Sequence, residues 1–172
     1  MTTVRRETRP LLERIQVRAV ETRSDLNAVL TLRRQVFKVE LGMIGESVED
    51  IDDRRSVIAL ALITLESGAV HAVGTGRLTI GAGRNGEGVL TWVATAAGFR
   101  RLGVGEAVVR FLLDAADRVG SPPLILAAQA PAIEFYRRLG FIPNGQRYMV
   151  SGIDHLPMIR PFSAESKQGP RC

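Results

Sequence analysis

The chain is poor in several residue types on which common functions are built. Among its 172 residues there is one cysteine, Cys172, and two histidines, His71 and His155. A lone cysteine excludes an internal disulfide and suits a reducing, cytoplasmic setting. Three such residues far apart in sequence lack the spacing of a metal site, so no metal is expected. Aromatic residues make up 5% of the chain and its arginines are scattered, so the net charge of +5 does not read as a nucleic-acid surface. The longest apolar run, Val57 to Ile63, is far short of the roughly 20 residues that cross a bilayer. No apolar segment of signal-peptide length lies between Met1 and Arg18. Neither a membrane nor a nucleic acid is therefore expected as a partner. An anionic small molecule accounts for the basic excess equally well.

What is present is an ordinary globular composition, 45% hydrophobic and 24% charged, long enough for one domain with a real core. Residues 1–14 read as a flexible arm, 15–161 as the folded domain and 162–172 as a disordered tail. Ile15 to Val20 alternates as a half-buried strand does, and Ser24-Asp25 would cap a helix with apolar positions at Leu26, Val29, Leu30, Val36 and Phe37, ended by Gly42 and Gly45. An acidic loop with Asp50, Asp52 and Asp53 follows, which a solvated role would explain. Val57–Leu65, Val70–Ile80 and Val89–Thr95 read as strands, and the first is apolar enough to be covered on both faces. From Gly103 a strongly amphipathic helix places Val104, Val108, Phe111, Leu112, Ala115 and Val119 on one stripe. Leu124–Ala128 is a short buried strand, and Pro131 opens a helix that Gly140 closes. Arg147–Val150 and His155–Ile159 form a hairpin through Ser151-Gly152. The order predicts an α+β fold, a mixed sheet with helices on its faces.

The most informative stretch is Arg100-Arg101-Leu102-Gly103-Val104-Gly105, set between a strand and a helix start. Glycines there let backbone N–H groups approach an anion, and the helix dipole adds partial positive charge. By itself this is a weak motif, because many strand-to-helix turns carry two glycines for steric reasons. A second motif stands beside it: Gln129-x-x-Ala132-x-x-Phe135-Tyr136-x-x-x-Gly140-Phe141.

The pair resembles the GNAT family of acetyl-coenzyme A dependent acyltransferases. In that family the first motif binds the pyrophosphate and the second, usually opened by asparagine, lies beside the pantetheine arm; here Gln129 takes the asparagine position. Leu32-Arg33-x-x-Val36-Phe37-x-Val39-Glu40, Glu49 to Asp52, Gly76-Arg77-Leu78, Ala128-Gln129-Ala130 and Gly152-Ile153-x-His155-x-x-Met158 are similar to the ElaA-type branch, with Leu41 where that branch carries glutamine. The resemblance implies the GNAT fold, with a mostly antiparallel sheet and helices on both faces. It also implies acetyl-CoA as cosubstrate and direct transfer to a primary amine in a ternary complex.

The same resemblance assigns roles. Arg100, Arg101, Leu102, Gly103, Val104, Gly105 and Glu106 would hold the pyrophosphate, the main chain of Val93, Ala94 and Thr95 would pair with the pantetheine, and Gln129 and Ala132 would flank it. An N–H of Ala94 or Thr95 would hold the thioester oxygen. Tyr136 is the candidate general acid for the departing thiolate. For the base, Glu40 at the end of the first helix and His155 on the final hairpin are candidates, whereas His71 on a strand face reads as structural. Trp92 reads as core. The amine acceptor is a small molecule or a peptide, and a homodimer stays open. Two other classes share these features: a catalytically idle acyl-CoA-binding module, and an acyl-homoserine-lactone-synthase-like acyltransferase, which generally lacks the Arg-x-x-Gly-x-Gly turn.

Overall fold

The computed structural model describes residues 14–43, 47–120 and 123–161, so the expected arm (apart from Arg14) and tail lie outside the described residues. In chain order the elements are β1 (Ile15–Ala19), α1 (Arg23–Arg33), a π-helical segment (Arg34–Glu40), a 3-10 turn (Ile51–Arg55), β2 (Val57–Thr64), β3 (Val70–Thr79) and β4 (Gly88–Thr95). A 3-10 turn (Ala97–Phe99), α2 (Val104–Arg118), β5 (Leu124–Gln129), a 3-10 turn (Ala130–Ala132), α3 (Ile133–Arg138), β6 (Ile142–Pro143), β7 (Tyr148–Val150) and β8 (Ile153–Arg160) complete it. The strands run in the order β1-β2-β3-β4-β5-β8-β6, with β7 also on β8. This is the mixed α+β class that the sequence predicts. The chain divides into two compact units, Met1–Arg77 with Trp92–Leu112, and Leu78–Thr91 with Leu113–Cys172.

In the first unit, α1 starts at a capping box. The Thr22 hydroxyl accepts the Asp25 N–H at 3.1 Å, and the Asp25 carboxylate accepts the Thr22 N–H at 3.2 Å. The cap is thus two residues earlier than Ser24, because a threonine three positions before an acid satisfies two orphan donors reciprocally. Asp25 also takes both Arg18 guanidinium nitrogens, at 2.7 and 2.6 Å. Past Arg33 the helix widens: the Leu41 N–H reaches back five residues to the Val36 carbonyl at 3.0 Å. The single helix expected up to Gly42 is therefore an α-helix followed by a π-helical segment.

β2 pairs antiparallel with β1 in the register Ile15↔Ile63 to Ala19↔Ala59. Its alternation splits the unit's core. Ile58 and Leu60 pack with Val29 of α1, joined by Val20, Leu26 and Leu62. On the opposite face β3 carries Gly74 and Gly76 under α2. A Cβ on Gly74 would lie 2.6 Å from Val104 Cγ1, and one on Gly76 would lie 3.0 Å from both Leu112 and Val108. Two missing side chains let α2 close on the sheet, which positions its N-terminus.

The second unit is built on β5 and β8. The first residues of β4 pair parallel with β5, Gly88↔Leu124 and Val89↔Ile125. β8 runs antiparallel to β5 from Leu124↔Arg160 to Gln129↔His155. Ser151 (φ 49°) and Gly152 (φ 77°) turn the β7–β8 hairpin, with positive φ at both turn residues as a two-residue primed turn requires. Pro131 sits in the 3-10 turn, so α3 begins two residues later than expected, at Ile133. α3 buries Ile133 and Tyr136, and the Tyr136 ring meets Phe135 and Phe141 edge-on at 4.9 and 5.8 Å.

Two expectations follow. Gly74→Ala forces its new methyl onto Val104 and costs about 1–3 kcal/mol in denaturant unfolding, part of which Val104→Ala in the same chain restores. The hydrogen bonds of Arg18 hold the Asp25 carboxyl well below the usual carboxylate range. A depressed acid stabilises fully above its unfolded value near 4 and loses that contribution as pH falls toward its folded value. The destabilisation of Asp25→Asn, measured by urea titration, is therefore largest at neutral pH and shrinks below pH ~4.

Candidate active site

Arg101 (φ 63°) and Gly103 (φ 84°) both take left-handed backbone, and α2 begins at Val104 with the Gly103 carbonyl accepting the Ala107 N–H at 2.9 Å. Among the described residues, none of the N–H groups from Arg101 through Glu106 donates to a backbone carbonyl. The first N–H groups of this 15-residue helix have no partner within it, and such a positive helix end suits an anion. Glu106 lies in that first turn with its carboxylate held by Arg110 at 2.8 Å. Arg101 makes no side-chain hydrogen bond to another described residue and is exposed.

Arg100 points elsewhere. Its Nε donates to the Thr95 carbonyl at 3.0 Å, and its Nη2 donates to the Glu40 carboxylate. The arginine thus ties together the end of β4, the end of the π-helical segment and the loop. Glu40, one candidate base, is held in an ion pair rather than free. Ala94 is buried against Leu32 and Val36, which seats the C-terminal half of β4 on α1 and the π-helical segment.

Below β4 lies a buried ionic lattice. Arg33 is 0% exposed, and its Nη1 donates to both Asp53 carboxylate oxygens at 3.0 Å and to the Val48 carbonyl at 2.9 Å. Arg77 Nη1 reaches Asp53 at 3.1 Å and Asp50 at 2.5 Å. Asp50 caps the 3-10 turn, accepting the Asp52 N–H at 2.9 Å while its own N–H goes to Asp53. Trp92 Nε1 stands 3.4 Å from the other Asp50 oxygen, the Arg33 guanidinium is 5.3 Å from the Trp92 ring centre, and Phe37 meets that ring edge-on at 5.0 Å. Burial pushes the Asp50 carboxyl up, and Arg77 more than offsets this, leaving it below its ordinary value. Burial likewise lowers the Arg33 guanidinium, against the pull of Asp53. The expected solvated acidic loop instead contributes both anions of this network, Asp53 with a buried side chain and Asp50 with one still partly exposed. Trp92 is a partly buried member of it.

In the second unit, Gln129 and His155 face each other across β5 and β8, and Tyr148 faces His155 across β7 and β8. Directly paired residues share a face, so the three side chains form one row. The Tyr148 ring stacks on the imidazole at 5.9 Å. His155 Nδ1 lies 2.8 Å from the Ile153 carbonyl, which can only accept, so Nδ1 donates there and Nε2 is the ring nitrogen left to face other groups. Tyr136 is buried, and its hydroxyl has no hydrogen-bond partner among the described residues; burial pushes the phenol well above its ordinary value. Ala132 ends the 3-10 turn just before α3. His71 is exposed at the start of β3. Among the described residues no three His, Cys, Asp or Glu side chains gather as a metal site, and no helix is long and apolar enough to cross a membrane.

The profile of the Acetyltransferase (GNAT) family matches residues 29–141, about two thirds of the chain. The chain belongs to the GNAT acetyltransferase family. An uncharacterized N-acetyltransferase of Bacillus subtilis, YjcF, is 30% identical over 135 residues, covering 75% of this chain and 87% of that protein. The crystal structure of Escherichia coli ElaA superposes with a TM-score of 0.71 at 25% identity, over 85% of this chain and 99% of that one. An acyl-CoA N-acyltransferase from Pseudomonas aeruginosa gives 0.69 at 26% identity, over 85% and 98%. The protein is an acyltransferase with ElaA-like relatives, as the two motifs imply.

For this GNAT acyltransferase, sequence reading passed over the ionic lattice. A signal for it exists: Arg33 falls seven residues after Leu26, on the apolar stripe of α1, and Arg77 shares a strand face with Val73. A charge at a core position requires a buried partner of opposite sign. Removing that partner gives a sharp expectation. Asp53→Ala leaves the buried Arg33 guanidinium without a carboxylate partner, Arg77 keeping Asp50, and lowers unfolding free energy by about 3–5 kcal/mol, whereas Arg55→Ala, breaking an exposed pair, costs at most about 1 kcal/mol in the same titration.

Proposed function

We propose that the protein transfers the acetyl group of acetyl-CoA directly to a primary amine within a ternary complex, in the cytoplasm. The observation that carries this reading is the run of six unengaged N–H donors from Arg101 to Glu106 at the start of α2. These donors fit a pyrophosphate, with Arg101 supplying side-chain charge and Arg100 bracing the loop through Thr95. Bound acetyl-CoA supplies the thioester. Val93, Ala94 and Thr95 give it a main-chain edge, with Gln129 and Ala132 as flanking contacts. An N–H of Ala94 or Thr95 stabilises the negative charge that grows on the thioester oxygen.

Tyr136 donates to the sulfur as coenzyme A leaves. With ordinary values, proton transfer from a phenol to a thiolate is uphill by about 2 kcal/mol. Burial raises the Tyr136 phenol further, so the hydroxyl stays protonated throughout the working range and acts as a hydrogen-bond donor until the carbon–sulfur bond is nearly broken. An amine acceptor with a value near 10.4 must lose a proton, at about 4–5 kcal/mol at pH 7. Nε2 of His155 has the lone pair for this, its tautomer set by the Ile153 carbonyl. Glu40 can serve through water only by sharing its carboxylate with Arg100.

Acetyl-CoA at saturating concentration raises the melting temperature in a thermal-shift assay, and the absence of a shift removes the donor assignment. Thiol release from acetyl-CoA over a panel of amines then separates an enzyme from an idle binding module. Tyr136→Phe lowers kcat by roughly 10²-fold with the Kd for acetyl-CoA nearly unchanged; preserved turnover removes the acid role.

A further inference from the structure

Trp92 stands within β4 at φ 55°, where a bulky side chain is rare and persists only if its surroundings over-determine it. Those surroundings are the ionic lattice. Arg33 covers one part of the indole, Phe37 meets it edge-on, and Asp50 faces its N–H. Asp50 is in turn fixed by Arg77 and by its capping role, and Arg77 and Arg33 converge on Asp53.

Such a lattice is a poor source of stability. Buried ion pairs recover little beyond their own desolvation, and Arg33 keeps two buried donors, Nε and Nη2, without acceptors among the described residues. What it provides is one fixed geometry. The residues that follow Trp92 are held on both sides: Val93 Cγ2 would lie 3.3 Å from a Cβ on Gly76, and Ala94 is buried against Leu32 and Val36. The Ala96 N–H returns to the Val73 carbonyl at 2.9 Å. The torsion at Trp92 therefore sets where the main chain of Val93–Thr95 runs.

We infer that the Arg33–Asp53–Arg77–Asp50 lattice acts through the Trp92 ring as a positioning device, locking the left-handed turn that aims the Val93–Thr95 main chain at the acyl donor. This rests on the reading of Val93–Thr95 as the edge that holds acetyl-CoA. Arg33, Asp50, Asp53 and Arg77 are positioning residues in this scheme and touch neither the donor nor the reacting atoms.

Glycine tests it, because glycine takes a positive φ without the steric penalty that alanine bears. Acetyl-CoA affinity is measured by calorimetry on the full chain for wild type, Asp50→Ala, Trp92→Ala and Trp92→Gly, with steady-state kcat and KM beside it. Asp50→Ala and Trp92→Ala are expected to weaken binding about tenfold, and Trp92→Gly to stay within about threefold of wild type although it also lacks the ring. Adding Asp50→Ala to Trp92→Gly is expected to leave affinity unchanged. Equal losses in Trp92→Ala and Trp92→Gly overturn the proposal, as does an Asp50→Ala effect of the same size in both backgrounds. If wild type fails to bind acetyl-CoA, the donor reading is overturned. The amide resonances of Val93–Thr95 in the ligand-free protein judge the lattice independently of that result. Compared between two chains that both lack the ring, they are expected to keep the same positions on adding Asp50→Ala to Trp92→Gly. They are expected to move on adding Asp50→Ala to wild type, and the reverse pattern overturns the positioning role.

Discussion

The carboxylate of Asp53 is the point at which the first compact unit is held together. With a side chain only 4% exposed, it meets Arg33 from α1, Arg77 from β3 and the Asp50 N–H from the 3-10 turn. Charges taken out of water are costly, so each must find a counter-charge beside it, and Arg33 and Arg77 find theirs in the buried Asp53 and the partly exposed Asp50. The arrangement pulls the segment from Ser47 to Arg55 onto the sheet, where composition alone would leave an acidic loop in solvent. It also gives α1 a polar anchor in the middle of its apolar stripe. Hydrophobic contacts such as Val29 with Ile58 and Leu60 supply the larger part of the driving force. They are non-directional, however, and the ion pairs choose one register among those that burial alone would accept.

Directionality matters because the chemistry of a GNAT acyltransferase relies on backbone groups. The loop from Arg101 to Glu106 offers N–H donors whose positions depend on two left-handed residues and on how closely α2 approaches the sheet. That approach depends in turn on Gly74 and Gly76, where any side chain would push Val104, Val108 and Leu112 away. Arg100 then fastens the loop to the Thr95 carbonyl and to Glu40. Donors fixed before a ligand arrives lose little entropy on binding and need no reorganisation during reaction. In this unit, packing, ion pairing and anion recognition are one mechanical problem solved by the same few residues.

The second unit works by different physics. Its candidate groups are placed by strand register and apolar burial rather than by charge. Gln129, His155 and Tyr148 align because three strands pair at those positions, and the Ile153 carbonyl chooses the histidine tautomer. Tyr136 is held by Phe135 and Phe141, whose apolar surroundings keep its phenol neutral.

Much of this was legible in the chain itself. Alternation gave β1, short apolar runs bounded by turns gave β2 and β5, the apolar stripe gave α2, and two spaced motifs identified the family, because periodicity and turn chemistry are local properties that neighbouring residues impose on one another. Gly103 and Gly140 announced their positive φ for the same reason. The widening of the first helix at Arg34 was not legible, and neither were the two-residue strand β6 and the pairing of Asp50 and Asp53, which depend on partners distant in sequence. Arg33 and Asp53 stand 20 residues apart, and Trp92 and Asp50 stand 42 apart. The pairing of Arg100 with Glu40, 60 residues away, was likewise not legible. Sequence determined which stretches form strands and helices and where the glycine-bearing turn lies, with helix ends shifted by a residue or two. Tertiary structure decided which charges are buried, because the cost of desolvating a charge is set by what the folded chain places beside it.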